Sequence, residues 1–383
     1  MLYSFFYCIF AKKNNIMHYF EKSNLKMNGL YLVYNAGSMY ENNTQKGTMH
    51  LMEHLICKRL DDMQDEFTKR NVVYNAYTSE EIVVVYFTGL NTELNGDLKT
   101  RIVKRMTDGI FANENDFNKE KDIVLQEYFN YFNDIAFGNV TNHLRKIYNN
   151  YSVIGDKTDI SNFQYNDAIE VFNTYFKNPT NIVEVGREKT DFSFVEYNNV
   201  PLTKKRLKHG FYENECEEVP FSGTNSVVIA ATQHTINKKD YPLLMILNTI
   251  LSDGLNSPLY QELREKRGLI YAIMPYNMRC VNDTVFMYVA MTTKDNDIEV
   301  INIIRDVLTN LDKYVTPSRF NDVVNNYLIG MEIEKIFRYK HPQMIHKGLP
   351  SSFKTKKQLQ NVKIEDVIAV GKKYFSDIEI TVC

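Results

Sequence analysis

Two stretches of this chain read alike. Asn166–Asn178 (NDAIEVFNTYFKN) and Glu365–Asp377 (EDVIAVGKKYFSD) share Asp, Ile, Val, Tyr and Phe in register. They begin at 166 and 365, an offset of 199 in a chain of 383 residues, where a duplicated and fused ancestor would place them. Each leads into a β-rich run, NIVEVG or IEITVC, so both read as a late helix feeding a closing strand. Five matches in thirteen are weak alone; the offset near half the chain carries the argument. The length agrees, being too great for one core and about right for two.

Strand-like runs at Gly29–Tyr34, Ile82–Thr88, Val227–Thr232 and Val285–Met291 alternate irregularly with helical patterns. The helices are expected at Met49–Met63, Asp116–Asn133, Leu243–Leu251, Ile298–Leu311 and Ser318–Ile336. The fold class is therefore α+β: two similar duplicated domains, each a largely antiparallel sheet packed with helices. Arg187–Gly223 has mixed charge, Pro201 and Pro220, and little periodicity, so it is the linker candidate. The chain divides as 1–190, a linker at 191–223, and 224–383.

Several function classes drop out. A formal net charge of −2 and the lack of a basic stripe interleaved with aromatics argue against a nucleic-acid partner. The five cysteines are scattered and form no CxxC pair, which excludes a disulfide framework and a cysteine zinc module and points to a reducing, cytoplasmic setting. The apolar start, MLYSFFYCIF, is too short to span a bilayer and lacks a positive n-region, so it reads as a first β-strand; targeting by this segment is the alternative. No membrane span is expected.

The chemical signal is His50-Leu-Met-Glu53-His54, an H-x-x-E-H sequence inside the first helical pattern. Residues four apart share a helix face, so both imidazoles can reach one metal ion while Glu53 can take a proton from metal-bound water. At 100° per residue, Glu53, His54 and Cys57 fall within about 60° of His50. Met52, Leu55, Ile56 and Met63 fall opposite, so one side enters a core and the other a cavity. With eight histidines in the chain, coincidence would produce such a pattern in roughly one sequence in a hundred. Cys57 shares the ligand face and could compete; a small packed residue is the simpler reading.

Zinc needs a third protein ligand and an open position. Glu120 and Glu127 lie seven apart, two helical turns, and point the same way. Ile123, Val124, Tyr128 and Tyr131 surround them on the wheel. Carboxylates within an apolar arc are costly unless a cation or donor meets them, which a metal would do; a rim position paired with a lysine is the bland alternative.

Together these residues resemble the pitrilysin, insulin-degrading enzyme and mitochondrial processing peptidase family. Its signature is H-x-x-E-H followed some seventy-odd residues later by a glutamate ligand, with another glutamate seven positions before it. Here 72 residues separate His54 from Glu127, and Glu120 matches the earlier glutamate. The resemblance implies that His50, His54 and Glu127 bind one Zn2+ per chain, that Glu53 activates the zinc-bound water, and that Glu120 orients the site. Gly37-Ser-Met-Tyr-Glu41 looks like the family's loop before the metal helix. Asn75-Ala-Tyr-Thr78 is similar to its N-A-x-T edge strand, which implies substrate contacts at Asn75, Ala76 and Thr78. Ser257-Pro-Leu-Tyr-Gln-Glu-Leu-Arg264-Glu-Lys-Arg-Gly-Leu-Ile-Tyr271 resembles the second-half motif whose Arg and Tyr face the zinc and hold substrate; without the family, Arg264 reads as a surface charge and Tyr271 as a core aromatic. Val72, Val73 and Tyr74 replace the glycines that usually precede N-A-x-T, and Lys58-Arg-Leu-Asp-Asp62 departs from the common pattern.

The resemblance implies a zinc metalloendopeptidase whose first domain is catalytic and whose second, lacking the metal motif, binds substrate. Tyr271 would hydrogen-bond the scissile carbonyl oxygen and Arg264 would anchor the substrate. It also implies pairing of two chains into a clamshell chamber around peptides or unfolded segments, as a homodimer or, alternatively, a heterodimer. The rival is a non-catalytic scaffold or helper subunit; such relatives lose ligands or the base, and this chain keeps His50, Glu53, His54 and Glu127.

Overall fold

The computed structural model describes residues 17–133, 152–203, 205, 225–237, 239–279, 283–336 and 356–382. The strand expected at MLYSFFYCIF lies outside them, as do Cys8, Cys216, Cys280 and Cys383. The described chain falls into two units, 17–205 and 225–382. Residues 187–203 form neither helix nor strand, in keeping with their mixed, aperiodic sequence.

The first unit is built on strands β1 (His18–Lys22), β2 (Met27–Tyr34), β3 (Val73–Thr78), β4 (Val83–Leu90) and β5 (Asn181–Gly186), in the order β1-β5-β2-β4-β3. Every neighbouring pair is antiparallel except β1 with β5. The runs Gly29–Tyr34 and Ile82–Thr88 thus appear as β2 and β4, each slightly longer than expected. Both are apolar on both faces because both faces are buried. Leu30, Leu32, Tyr34, Val83, Val85 and Phe87 join the main core with the helices, while Tyr31, Val33, Ile82, Val84, Val183 and Val185 form a second cluster on the opposite side. Among the described residues strand β3 is an edge, paired in the sheet only with β4.

The main helices of this unit are α1 (Thr48–Cys57), α2 (Gly96–Met106), α3 (Glu114–Asn133), α4 (Lys157–Asn162) and α5 (Tyr165–Val171). Leu51, Met52, Leu55 and Ile56 of α1 are fully buried, as the wheel requires. The helix expected over Met49–Met63 is not continuous: α1 ends at Cys57 and tightens into a 3-10 segment, Lys58–Met63. A 3-10 rise carries Met63 off the α-helical wheel, so its burial follows from this segment and not from the face counted from His50.

The second unit has β6 (Asn225–His234), β7 (Ala272–Arg279), β8 (Thr284–Thr293) and β9 (Glu379–Val382) in the wholly antiparallel order β7-β8-β6-β9. Read from the other edge, β9-β6-β8-β7 reproduces the β5-β2-β4-β3 order of the first unit. Its longer helices are α6 (Tyr241–Ser252), α7 (Asp297–Thr309), α8 (Pro317–Ile336) and α9 (Ile364–Tyr374). The two similar thirteen-residue stretches occupy matching places. Asn166–Asn178 covers most of α5 and a π-helical turn at Phe172–Phe176 ahead of β5; Glu365–Asp377 covers α9 ahead of β9. The expected α+β architecture of two duplicated halves is thus what the chain adopts.

Candidate metal centre

The start of α1 is fixed by three contacts that the sequence sets up locally. Gly37 lies so close to the Glu80–Glu81 backbone that a Cβ would come within 2.4 Å of it. The following turn, Ser38–Tyr40, therefore docks on the end of β3, with Ser38 N–H donating to Ser79 O and Met39 N–H to Glu80 O. This delivers the buried Glu41 to the N-terminus of α1, where its carboxylate accepts from Gly47 N–H at 3.1 Å and Met49 N–H at 2.9 Å. Its carboxyl oxygens satisfy otherwise unpartnered amides, while burial, opposed by those two hydrogen bonds, pushes the Glu41 pKa up to about 8. Finally, Gly47 and Gly155 pack backbone to backbone, and Asp156 N–H donates to Lys46 O.

On α1, His50 and His54 present their rings 5.1 Å apart and nearly perpendicular. From α3, Glu127 brings Oε2 to 3.4 Å from His50 Nε2 and 3.6 Å from His54 Nε2. These separations are long for hydrogen bonds but match the edge of a tetrahedron, about 3.4 Å for zinc–ligand distances near 2.1 Å. One ligand atom from each of the three residues lies within 4.8 Å of the others. The donor set, two imidazole nitrogens and one carboxylate oxygen, is that of a catalytic zinc site with a position left open. The residues present fit the metal. Burial, with the neighbouring His54 adding to it, lowers the His50 pKa to about 4, so its ring is a neutral donor at physiological pH.

Glu120 lies two turns before Glu127 on α3, and its Oε2 is 3.1 Å from His54 Nδ1. A carboxylate on that nitrogen places the ring proton there and leaves Nε2 free to ligate. Lys58 Nζ stands 3.6 Å from Glu120 Oε1 and 2.7 Å from Asp61 Oδ2, so the departure at Lys58–Asp62 puts a cation behind Glu120. The apolar arc around these glutamates is narrower than expected: Val124 is fully buried, Tyr128 is partly covered and Ile123 is exposed. Removing the carboxylate in Glu120→Ala should weaken zinc binding about 10- to 100-fold, read by competition with a chelator of known affinity. An unchanged affinity would show that the His54 ring is held by other means.

Glu53 sits on the same side of α1, where burial raises its pKa, opposed by a hydrogen bond from Thr78 and by the charge of His54. Thr78 Oγ1 donates to Glu53 Oε2 at 2.5 Å. Asn75 and Ala76 lie beside Thr78 on edge strand β3, Asn75 exposed with its side chain accepting from Ala76 N–H. Cys57, partly buried against the core, has a thiol whose pKa is pushed up by burial and by neighbouring carboxylates, which keeps it protonated.

In the second unit, Ser257 precedes a helical stretch, Pro258–Tyr260, that widens into a π-helical turn at Gln261–Glu265. Gly268, at φ +63°, reverses the chain and returns Tyr271 to Arg264. Arg264 Nη1 donates to Tyr271 O at 2.6 Å. Its guanidinium lies over both the Tyr260 ring (5.4 Å) and the Tyr271 ring (5.6 Å). Tyr271 is 76 % exposed, so it is no core aromatic; its spacing from Arg264 gives a pre-formed cationic and aromatic surface.

Sequence reading missed four contributions: the Glu41 cap, Lys58 behind Glu120, Tyr260 under Arg264, and the bond from Thr78 to Glu53. Glu41 and Tyr260 lay within noticed motifs but only as spacers. Thr78 was expected on substrate, and nothing in a sequence shows that a strand hydroxyl reaches a helix carboxylate.

The sequence profile of the insulinase family, peptidase family M16, matches residues 17–149, and the profile described as the peptidase M16 inactive domain matches residues 160–327. A protein described as an uncharacterized zinc protease from Rickettsia felis is 22 % identical, over 91 % of this chain and 89 % of its own length. The zinc protease PqqE of Helicobacter pylori is also 22 % identical, over 91 % of this chain and 85 % of its own. The crystal structure of a protease from Helicobacter pylori superposes with a TM-score of 0.73 over 97 % of each chain at 16 % identity, which establishes a shared fold. Among the described residues no helix is long and apolar enough to cross a membrane.

Proposed function

The chain belongs to the insulinase family, peptidase family M16, and from that premise we propose that it is a zinc-dependent endopeptidase. One observation carries this reading: His50, His54 and Glu127 converge with their ligand atoms within 4.8 Å, beside the face of α1 that carries Glu53. The zinc protease names of the relatives support the metal, and the single candidate ligand group among the described residues supports one ion per chain. When bound, zinc polarises a scissile carbonyl and lowers the pKa of its water toward 7.

This chain's own groups do the rest. Glu53 takes a proton from the attacking water and passes it to the leaving amine, the two-way use expected of a buried carboxylate. Glu120 holds the His54 ring in the tautomer that ligates. Edge strand β3, at Asn75, Ala76 and Thr78, receives the substrate as an added strand. Arg264 anchors substrate backbone or carboxylate, and Tyr271 donates to the carbonyl oxygen as negative charge develops. On this reading residues 1–190 are the catalytic domain, 191–223 the linker and 224–383 the substrate-binding domain. Two chains pair as a homodimer that encloses peptides or unfolded segments in a chamber.

The test is bound zinc together with hydrolysis of quenched peptides of graded length, before and after chelation. Near-stoichiometric zinc, loss of cleavage on chelation and recovery on readdition are expected. No zinc after attempted reloading would defeat the reading and favour a scaffold role. Zinc without cleavage of any peptide would favour a helper subunit.

A further inference from the structure

Glu53 is partly buried on α1, and the proposed chemistry needs its carboxylate held in one orientation. Its neighbours one turn away on the same helix cannot do this. Met49 and Ile56 are buried apolar side chains that offer no hydrogen bond to a carboxylate. The His50 ring is turned toward Glu127, and the Cys57 thiol is at best a weak donor. The group that meets Glu53 comes from strand β3: Thr78 Oγ1 donates to Oε2 at 2.5 Å.

We propose that Thr78 is a positioning residue for Glu53, its hydroxyl fixing Oε2 so that Oε1 is the oxygen presented to the attacking water. The inference rests on the peptidase reading and deepens it. A hydrogen bond to an ionised acceptor is short and directional, so it selects one carboxylate orientation. Side chains alternate along a strand, and Tyr74 and Ala76, four and two residues before Thr78, pack against the core that α1 enters. Thr78 therefore faces α1 by register. Its hydroxyl serves the base while the backbone of the same strand forms the sheet edge among the described residues. Substrate addition along β3 thus stiffens the element that orients the proton acceptor.

The test compares Thr78→Val, which keeps the β-branched shape and removes the hydroxyl, with Thr78→Ser, which keeps the hydroxyl. Both are made in the full chain, loaded with zinc and crystallised. In Thr78→Val we expect kcat about tenfold lower, KM within about twofold and zinc content unchanged, with the Glu53 carboxylate rotated away from its present position. Thr78→Ser should restore both the rate and the carboxylate orientation. Equal rates in Thr78→Val and wild type, or equal losses in both variants, would overturn the proposal while leaving the peptidase reading intact. If the wild-type protein cleaves nothing, the peptidase reading fails separately. The carboxylate orientation then decides: an unmoved Glu53 in Thr78→Val overturns the positioning role.

Discussion

Glu53→Gln is expected to keep its zinc and to lose peptide hydrolysis by a factor of about 100 to 10,000. The amide has nearly the shape of the carboxylate and still offers an oxygen to the Thr78 hydroxyl, so α1 and its packing stay as they are. It cannot accept a proton at neutral pH, and proton transfer is the task assigned to Glu53. The proposed metal ligands His50, His54 and Glu127 are untouched, so metal content separates loss of the base from loss of the site. Zinc content and kcat, measured on the same preparation, check both halves of the expectation. Hydrolysis at the wild-type rate would remove Glu53 from the mechanism. Loss of zinc together with activity would mean that the residue supports the metal as well.

The cluster proposed as a metal site was legible in the sequence because its parts are local or periodic. His50, Glu53 and His54 lie within one turn of helix, and Glu120 and Glu127 lie two turns apart, so helix geometry alone places each set on one face. Pairing α1 with α3 is a tertiary fact; the sequence offered it only through likeness to a family. The end of α1 shows where pattern reading stops. The apolar run to Met63 looks helical throughout, yet the segment from Lys58 tightens, and Lys58 ends beside both Asp61 and Glu120. One of those carboxylates comes from another helix, and no local window of the sequence contains it. Tyr271 fails differently: its ring suggested burial, although Gly268, which turns it back over Arg264, lies within the same eight-residue window. The duplication was read from thirteen residues but is visible in the four-strand order that both sheets share, because topology persists where side chains have diverged.

Gly155→Ala is expected to lower stability by about 2–5 kcal/mol, combining roughly 1–2 for a side chain in the left-handed region with roughly 1–3 for overpacking. Gly155 has φ +74°, and a Cβ there would lie 2.2 Å from Gly47 Cα, 2.3 Å from Gly47 N and 2.4 Å from Lys46 O. All three are backbone atoms, so no side chain can swing away. The strain falls on a segment already committed elsewhere: Gly47 N–H is held by Glu41, Lys46 O accepts from Asp156 N–H, and Lys46 N–H donates to Asp159. Gly47 is the residue before α1, three positions ahead of His50, so relief of the clash shifts the first turn of the helix that carries two of the proposed ligands. Zinc affinity should therefore fall along with the melting temperature, which we expect to drop by about 5–15 °C. Gly330→Ala is the control, because a Cβ at Gly330, within α8, meets nothing within 4 Å. A helical alanine there should hold or slightly raise stability. Equal behaviour of the two variants would show that the Gly47–Gly155 contact does not anchor the metal helix.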